Sequence, residues 1–175
     1  MFVVGVLSDT HGTLPFAAEA ALSECDHIIH AGDICDPGIL RSLQGYAPVT
    51  AVLGNNDFPE YGTDVQRFAR PVLDGVRFLV AHYPQEVMPG PFGSHALAPG
   101  DPLPHVSIHG HTHVPALLTG PDARPASLVI CPGSTSRPRG GFPASIAKVV
   151  LDQGKVVDAW IEALQDGKVL FRLGE

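Results

Sequence analysis

Five short apolar runs in this chain each end in a turn built from Asp, Asn, His and Gly. Phe2 to Leu7 runs into Ser8-Asp9-Thr10-His11-Gly12, His27 to Ala31 into Gly32-Asp33, and Val49 to Leu53 into Gly54-Asn55-Asn56-Asp57. Val76 to Ala81 meets His82, and Val106 to His109 meets Gly110-His111-Thr112-His113. Short apolar runs bounded by turn residues read as buried strands. Open α/β sheets gather ligands outside the carboxyl ends of their strands. The pattern therefore calls for a sheet whose strand ends bring together polar side chains distant in sequence.

The intervening segments complete that picture. Pro15 to Leu22 is rich in Ala and Glu and reads as a helix. Asp36 with Pro37 behind it reads as an N-cap and first helical residue, opening a short helix over Gly38 to Leu43. The first third is thus β-α-β-α-β, the mark of parallel strands with crossover helices. Beyond it the helical signal fades. Val65 to Leu73 and Val76 to Ala81 read as strands joined by Asp74-Gly75, a hairpin turn. Pro84 to Pro104 has no period and reads as a long functional loop. Leu128 to Cys131, Ala144 to Leu151, Lys155 to Leu164 and Val169 to Leu173 read as further strands. No repeat, linker or charge block divides the 175 residues, so the expectation is one domain spanning 1–175, of α/β (α+β) class.

Composition narrows the function. With 11 basic against 18 acidic residues the net charge is −7, which argues against long nucleic acid and anionic lipid as partners. No run approaches the roughly 20 apolar residues of a membrane span, and Phe2 to Leu7 reads as a strand, not a leader peptide. Three cysteines at irregular spacing (Cys25, Cys35, Cys131) fit neither a disulfide framework nor a zinc knuckle, and point to a cytoplasmic setting.

The strand-end residues share one chemistry. Asp9, His11, Asp33, Asn55, Asp57, His82, His111 and His113 supply carboxylate, amide and imidazole donors with no thiolate, a set suited to Mn, Fe, Zn or Co. About seven donors exceed what one tetrahedral ion takes and fit two ions sharing a carboxylate. Each residue alone has a plainer reading. Asp36 is a cap and Asp74 a hairpin residue. His27 and His30 pack or hydrogen-bond along their strand, His95 and His105 are solvated, and Cys35 is a small buried hydrophobe. The ordered series carries the argument, not any member.

That series resembles the calcineurin-like metallophosphoesterases, and among them the small bacterial and archaeal phosphodiesterases. The matching segments are SDTHG at 8–12, HAGDICD at 30–36, GNND at 54–57, AH at 81–82, GHTH at 110–113 and PGS at 132–134. The resemblance implies a four-layer α/β/β/α sandwich, with two sheets face to face and helices outside. It implies that Asp9, His11 and His113 hold a first divalent ion and that Asn55, His82 and His111 hold a second, with Asp33 bridging. The ions would be Mn²⁺ first, with Fe, Zn, Ni or Co as alternatives. Asp57 would orient a neighbour or tighten its turn. The activity implied is hydrolysis of a small phosphodiester or other phosphorylated substrate, and a homo-oligomer, dimer or tetramer, is compatible with it.

Three positions depart from the family pattern. Asn56 stands where many members carry a His that protonates the leaving group, and an amide gives up no proton at neutral pH. His109 is the candidate replacement, against the plainer reading of a strand-end His turned away. Tyr83 follows His82 where Gly is usual, and Cys131 replaces an Asn before PGS. Arg137 and Arg139 follow PGS and offer themselves to a substrate phosphate. Two other functions compete. The same fold serves as a non-catalytic scaffold in a eukaryotic retromer subunit, where the donor set would erode. A metal-storage or sensing role would use the His-rich stretch at 95–113 instead of separate strand ends.

Overall fold

The computed structural model describes residues 1–91 and 93–175. Strands β1 (Phe2–Leu7), β2 (His27–His30), β3 (Val49–Ala51), β10 (Ser145–Asp152), β11 (Lys155–Ala163) and β12 (Val169–Arg172) form one sheet in the order β12-β11-β10-β1-β2-β3. Strands β4 (Phe68–Ala69), β6 (Val76–Ala81), β7 (Val106–Ile108), β9 (Leu128–Cys131) and β8 (Ala116–Thr119) form the second in that order, and β5 (Val72–Leu73) also pairs with β6. Pairs β1–β2, β2–β3, β6–β7 and β7–β9 are parallel. The expected four-layer α/β/β/α sandwich is therefore the architecture.

Side-chain alternation assigns each layer. Val4 and Val6 of β1 face Phe78 and Val80 of β6 across the space between sheets, with Ile108, Ile130, Val149 and Ile161 completing that core. The opposite face of the first sheet presents Leu7 and Ile28 to helices α1 (Phe16–Leu22) and α2 (Pro37–Gln44), which contribute Leu22, Ile39 and Leu43. Gly5 lies on that face, where a Cβ would sit only 2.8 Å from Cys25 Sγ and would collide with Leu22. The missing side chain lets α1 settle onto the sheet. The outer face of the second sheet, Leu79, Ala81 and Val129, is covered by Val87, Ala96, Ala123 and Ala126. These come from the four-residue helix α3 (Pro84–Val87), the segment after it, a 3₁₀ turn at Gly120–Ala123 and the residues that follow that turn. The fourth layer is thus thin.

Local structure follows expectation where a side-chain or backbone signal is strong. Asp36 accepts from Gly38 N at 2.7 Å and caps α2, with Pro37 in its first turn. Asp74 and Gly75 both have positive φ, 43° and 78°, as the tight hairpin between β5 and β6 requires. Three expectations need correcting. The single strand over Val65 to Leu73 is broken into β4 and β5, because Arg70-Pro71 interrupts it and proline has no N–H to give a ladder. The third strand stops at Ala51, after which Val52 makes only an isolated bridge to Gln66. The stretch 84–104 begins with α3, whose first residue is Pro84, and not with loop; its residue 92 lies outside the described residues. Strand β8, antiparallel to β9, adds an element that no sequence pattern marks. No helix among the described residues is long and apolar enough to cross a membrane.

Candidate metal centre

The topology places the strand-end residues together. Asp9 and His11 follow β1, Asp33 follows β2 and Asn55 lies beyond β3. His82 follows β6, while His111 and His113 follow β7. Both sheets contribute, so the site sits where their carboxyl edges meet. Asp9, His11, Asp33 and His113 each offer a donor atom within 4.8 Å of the others. Asn55 Oδ1 lies 3.0 Å from both His82 Nε2 and His111 Nδ1, and His82 Nε2 is 3.6 Å from Asp33 Oδ1. The other Asp33 oxygen, Oδ2, is 3.6 Å from His11 Nε2. One carboxylate therefore faces two donor groups.

Hydrogen bonds at the back of the rings determine what the front can do. His82 Nδ1 donates to Ala31 O at 2.8 Å and His113 Nδ1 to Arg137 O at 2.6 Å. In the neutral ring, each Nε2 then carries a lone pair toward the centre. His82 Nε2 meets Asn55 Oδ1, Asp33 Oδ1 and, at 4.0 Å, Asp9 Oδ1. His113 Nε2 meets Asp9 Oδ1 at 3.2 Å. Asp9 Oδ1 is buried and has no hydrogen-bond partner. Acceptor atoms thus converge on the centre, an arrangement that divalent cations would satisfy. The residues present fit divalent ions.

The backbone is strained to produce this geometry. Asp9, His11, Asp33, Cys35, His111 and His113 all have φ between 46° and 69°, a region costly for residues with a side chain. Two glycines permit the close approach. A Cβ on Gly54 would strike Asp33 Oδ1, and one on Gly110 would strike Ser8 Oγ and lie 2.7 Å from Asp9 Oδ2.

Burial and charge tune the donors. Desolvation raises the Asp9 pKa to about 6, against lowering by the Ser8 hydroxyl, which donates at 2.6 Å, and by His82. Burial lowers the pKa of His11, opposed by Asp33, so its ring is neutral at neutral pH. Asp57 stays out of the donor cluster. It accepts from Ile34 N and Cys35 N at 2.9 Å, and from Gly54 N and Tyr61 Oη at 2.8 Å. Burial alone would raise its pKa, but these bonds hold it below the ordinary value. Asp57 therefore locks the Asp33 turn to the Asn55 turn.

His109 is 4 % exposed, its Nδ1 donates to Gly110 O at 2.9 Å, and burial lowers its pKa. A neutral, buried ring is poorly placed to protonate a leaving group. Cys35, expected to be buried, is exposed, because Asp57 holds its turn outward while Ile34 fills the interior. Its thiol, raised to about 11 chiefly by desolvation with Asp57 and Asp33 adding, lies 4.0 Å from His11 Nδ1. His27 bonds Thr50, His95 bonds Glu86 and His105 accepts from Arg77 N. Arg137 and Arg139 are exposed, and the Arg137 charge reaches His11.

Some contacts carry no sequence signal. Asn56 donates through its backbone to Asp33 Oδ1 and through Nδ2 to Asp33 Oδ2, both at 2.8 Å. Tyr61 buttresses Asp57. Ser134 and Ser136 donate to Asp9 O at 2.7 and 3.2 Å; Ser134 belongs to the PGS segment, the one clue to it in the sequence.

His30 gives the site region a pH dependence. Its Nδ1 accepts from Gly32 N at 3.2 Å, so Nε2 holds the proton and donates to Thr10 Oγ1 at 3.0 Å. Desolvation pushes its pKa down to about 3 from 6.5. The unfolded chain therefore takes the proton first, and the fold loses stability as pH falls from 6.5 toward about 3. The expected cost is about 1.4 kcal/mol per pH unit. Urea midpoints of metal-free protein between pH 7 and 4 should fall more steeply for the wild type than for His30→Gln; parallel curves would contradict this.

Comparison with known proteins agrees with the geometry. Residues 2–154 match the model of the calcineurin-like phosphoesterase superfamily domain. A probable metallophosphoesterase of Methanothermobacter thermautotrophicus is 33% identical over 165 residues, covering 91% of each chain. Among solved structures, the E. coli phosphoesterase Yfce superposes with a TM-score of 0.71 at 24% identity, covering 98% of each chain. Vacuolar Protein Sorting 29 from Cryptosporidium parvum superposes at 0.74 with 18% identity, over 99% of this chain and 98% of its own. These two likenesses are of fold.

Proposed function

This chain belongs to the calcineurin-like phosphoesterase superfamily, and we propose that within it the protein is a metal-dependent phosphodiesterase working with two divalent ions. The observation that carries this reading is the convergence of His82 and His113 Nε2, whose Nδ1 atoms are committed to backbone carbonyls, on carboxylate and amide oxygens. Asp9, His11 and His113 would hold one ion, Asn55, His82 and His111 the other, and Asp33 would contribute one oxygen to each side. Two such ions neutralise phosphoryl oxygens and acidify a water molecule.

The remaining work belongs to the chain. Ala31 O and Arg137 O keep His82 and His113 in the tautomers that point lone pairs inward. Asn56 orients Asp33 through two donors instead of acting as an acid. Asp57 keeps the two turns in register. Hydrolysis adds the elements of water across a P–O bond: phosphorus gains the oxygen, and the leaving group departs as an alcohol or alkoxide. With Asn56 unable to give a proton and His109 buried, the chain suits esters whose leaving group departs without a strong acid. The diester reading itself rests on the resemblance of the sequence motifs to those of small phosphodiesterases. The scaffold alternative expects an eroded donor set, whereas all seven positions keep a competent donor.

The test is hydrolysis of matched aryl phosphate mono- and diesters by metal-stripped protein titrated with Mn²⁺. Turnover restored by the ion and larger on the diester is expected. Turnover absent with Mn²⁺, Fe²⁺, Zn²⁺, Co²⁺ and Ni²⁺ would favour the scaffold.

A further inference from the structure

A cavity of about 320 Å³ opens beside the metal centre, beginning at Asn55 and His82 and continuing along Tyr83, Phe68, Arg67 and Glu86. That volume falls in the usual range for small-molecule sites. Planar groups share its walls with Leu53, Gly54 and the Asp57 carboxylate. The Tyr83 ring packs with its centroid 4.7 Å from that of His111 and 5.4 Å from that of His82, so its orientation is tied to the centre itself. Phe68 opens β4 and pairs in register with Ala81, next to His82. The exposed Arg67 guanidinium lies 5.7 Å from the Phe68 ring centroid.

The far wall is fixed as well. The Glu86 carboxylate accepts from Ser94 Oγ, His95 N and Ala96 N at 3.0, 2.9 and 3.3 Å. These bonds, all to Oε2, draw residues 94–96 against α3 and, against the effect of burial, hold the carboxylate ionised below its ordinary range, so its charge is fixed on the α3 side of the cavity. Asn55 and His82 belong both to the donor set and to the cavity wall, so the cavity leads directly away from the place where a phosphoryl group would be held and has room for an organic group attached to it.

We propose that this cavity is the subsite for the retained ester group and that Tyr83, Phe68 and Arg67 select substrates in which that group carries an aromatic ring, as a nucleoside does. Aromatic side chains stack on bases of any sequence, and a guanidinium adds a cation–π contact. Tyr83, the departure from Gly, then supplies one wall instead of merely crowding the site. The inference rests on the phosphodiesterase reading, and the test separates the two.

Thymidine 5′-(p-nitrophenyl phosphate) and methyl p-nitrophenyl phosphate both release p-nitrophenol on hydrolysis and differ only in the retained group. With Mn²⁺-loaded protein, the thymidine ester should be preferred by about tenfold or more in kcat/KM, from the strength of base stacking. Phe68→Ala and the exposed-site variant Arg67→Gln should each cut that preference several-fold, mainly through KM. Equal kcat/KM for the two esters, or a preference unchanged in both variants, would overturn the subsite while leaving the phosphodiesterase reading intact. If neither ester is hydrolysed, that reading fails, and calorimetric binding of thymidine 5′-monophosphate decides the subsite alone. Binding weakened by Arg67→Gln would uphold it, and no binding, or binding indifferent to the variant, would overturn it.

Discussion

Asp33→Asn is expected to reduce phosphodiester turnover by well over the roughly 10–100-fold typical of losing an outer-shell partner. The carboxylate presents Oδ2 to His11 and Oδ1 to His82, each at 3.6 Å. An amide keeps one oxygen and replaces the other with two N–H donors. Whichever way it is turned, one donor group loses its anionic oxygen and gains protons aimed at the ion position. Asn56 aggravates the change, because its backbone N–H and its Nδ2 both donate to Asp33, and a donor would now face a donor. The substitution is nearly isosteric, so the fold should persist. Measuring kcat on an aryl diester at saturating Mn²⁺ checks the expectation. Wild-type activity in Asp33→Asn would contradict the bridging assignment.

Chelation is expected to produce the second large effect, in stability as well as activity. The fold holds Asp9, His11, Asp33, His111 and His113 at positive φ and buries Asp9 Oδ1 with no hydrogen-bond partner from the chain. An ion that binds only the folded state adds about 2.7 kcal/mol at a concentration a hundredfold above its Kd. For a chain of this size each kcal/mol raises Tm by about 2–4 °C, so two filled positions should raise it by roughly 10–20 °C. The gain depends on pH. Asp9, raised to about 6 by burial, keeps its proton below that pH, and the proton competes with the ion. In the metal-free protein the sign is opposite to that of an ordinary ion-paired carboxylate. Between 3.8 and about 6 the folded state holds the proton more tightly than the unfolded chain, so this group's contribution falls as pH rises. Binding of the ion offsets that loss. Thermal melts with Mn²⁺ and with chelator should therefore diverge widely at pH 7.5 and much less at pH 5. Superimposable melts at pH 7.5 would contradict the account.

Much of this centre is legible in the amino-acid sequence because two local signals coincide. Strand-length apolar runs identify where the chain is buried, and the polar turn after each run identifies which edge of the sheet carries chemistry. Asp36 and Asp74-Gly75 are readable for a similar reason: capping and a tight hairpin are decided by residues adjacent in sequence. What the sequence hides depends on long-range packing. Ala116–Thr119 becomes a strand only because β9 offers it an antiparallel partner, Ala116 opposite Cys131. Cysteine is usually buried, which places Cys35 inside by type, yet a carboxylate 22 positions away, Asp57, holds its backbone N–H and turns the residue outward. Asn56 shows by its type what it does not do, give up a proton. Its part in orienting Asp33 exists only when two turns meet. The residues that hold the donors in place, Asp57, Tyr61 and Ser134 among them, are joined by contacts that cross the chain.

The central claim is that these strand ends form one built site for two ions. Equilibrium dialysis of metal-stripped protein against Mn²⁺ at pH 7.5, with bound metal counted per chain, tests it most directly. The account predicts saturation at two ions per chain for the wild type and a loss of bound metal in Asp33→Asn. Saturation at a single ion, or several weakly held ions unaffected by Asp33→Asn, would contradict it.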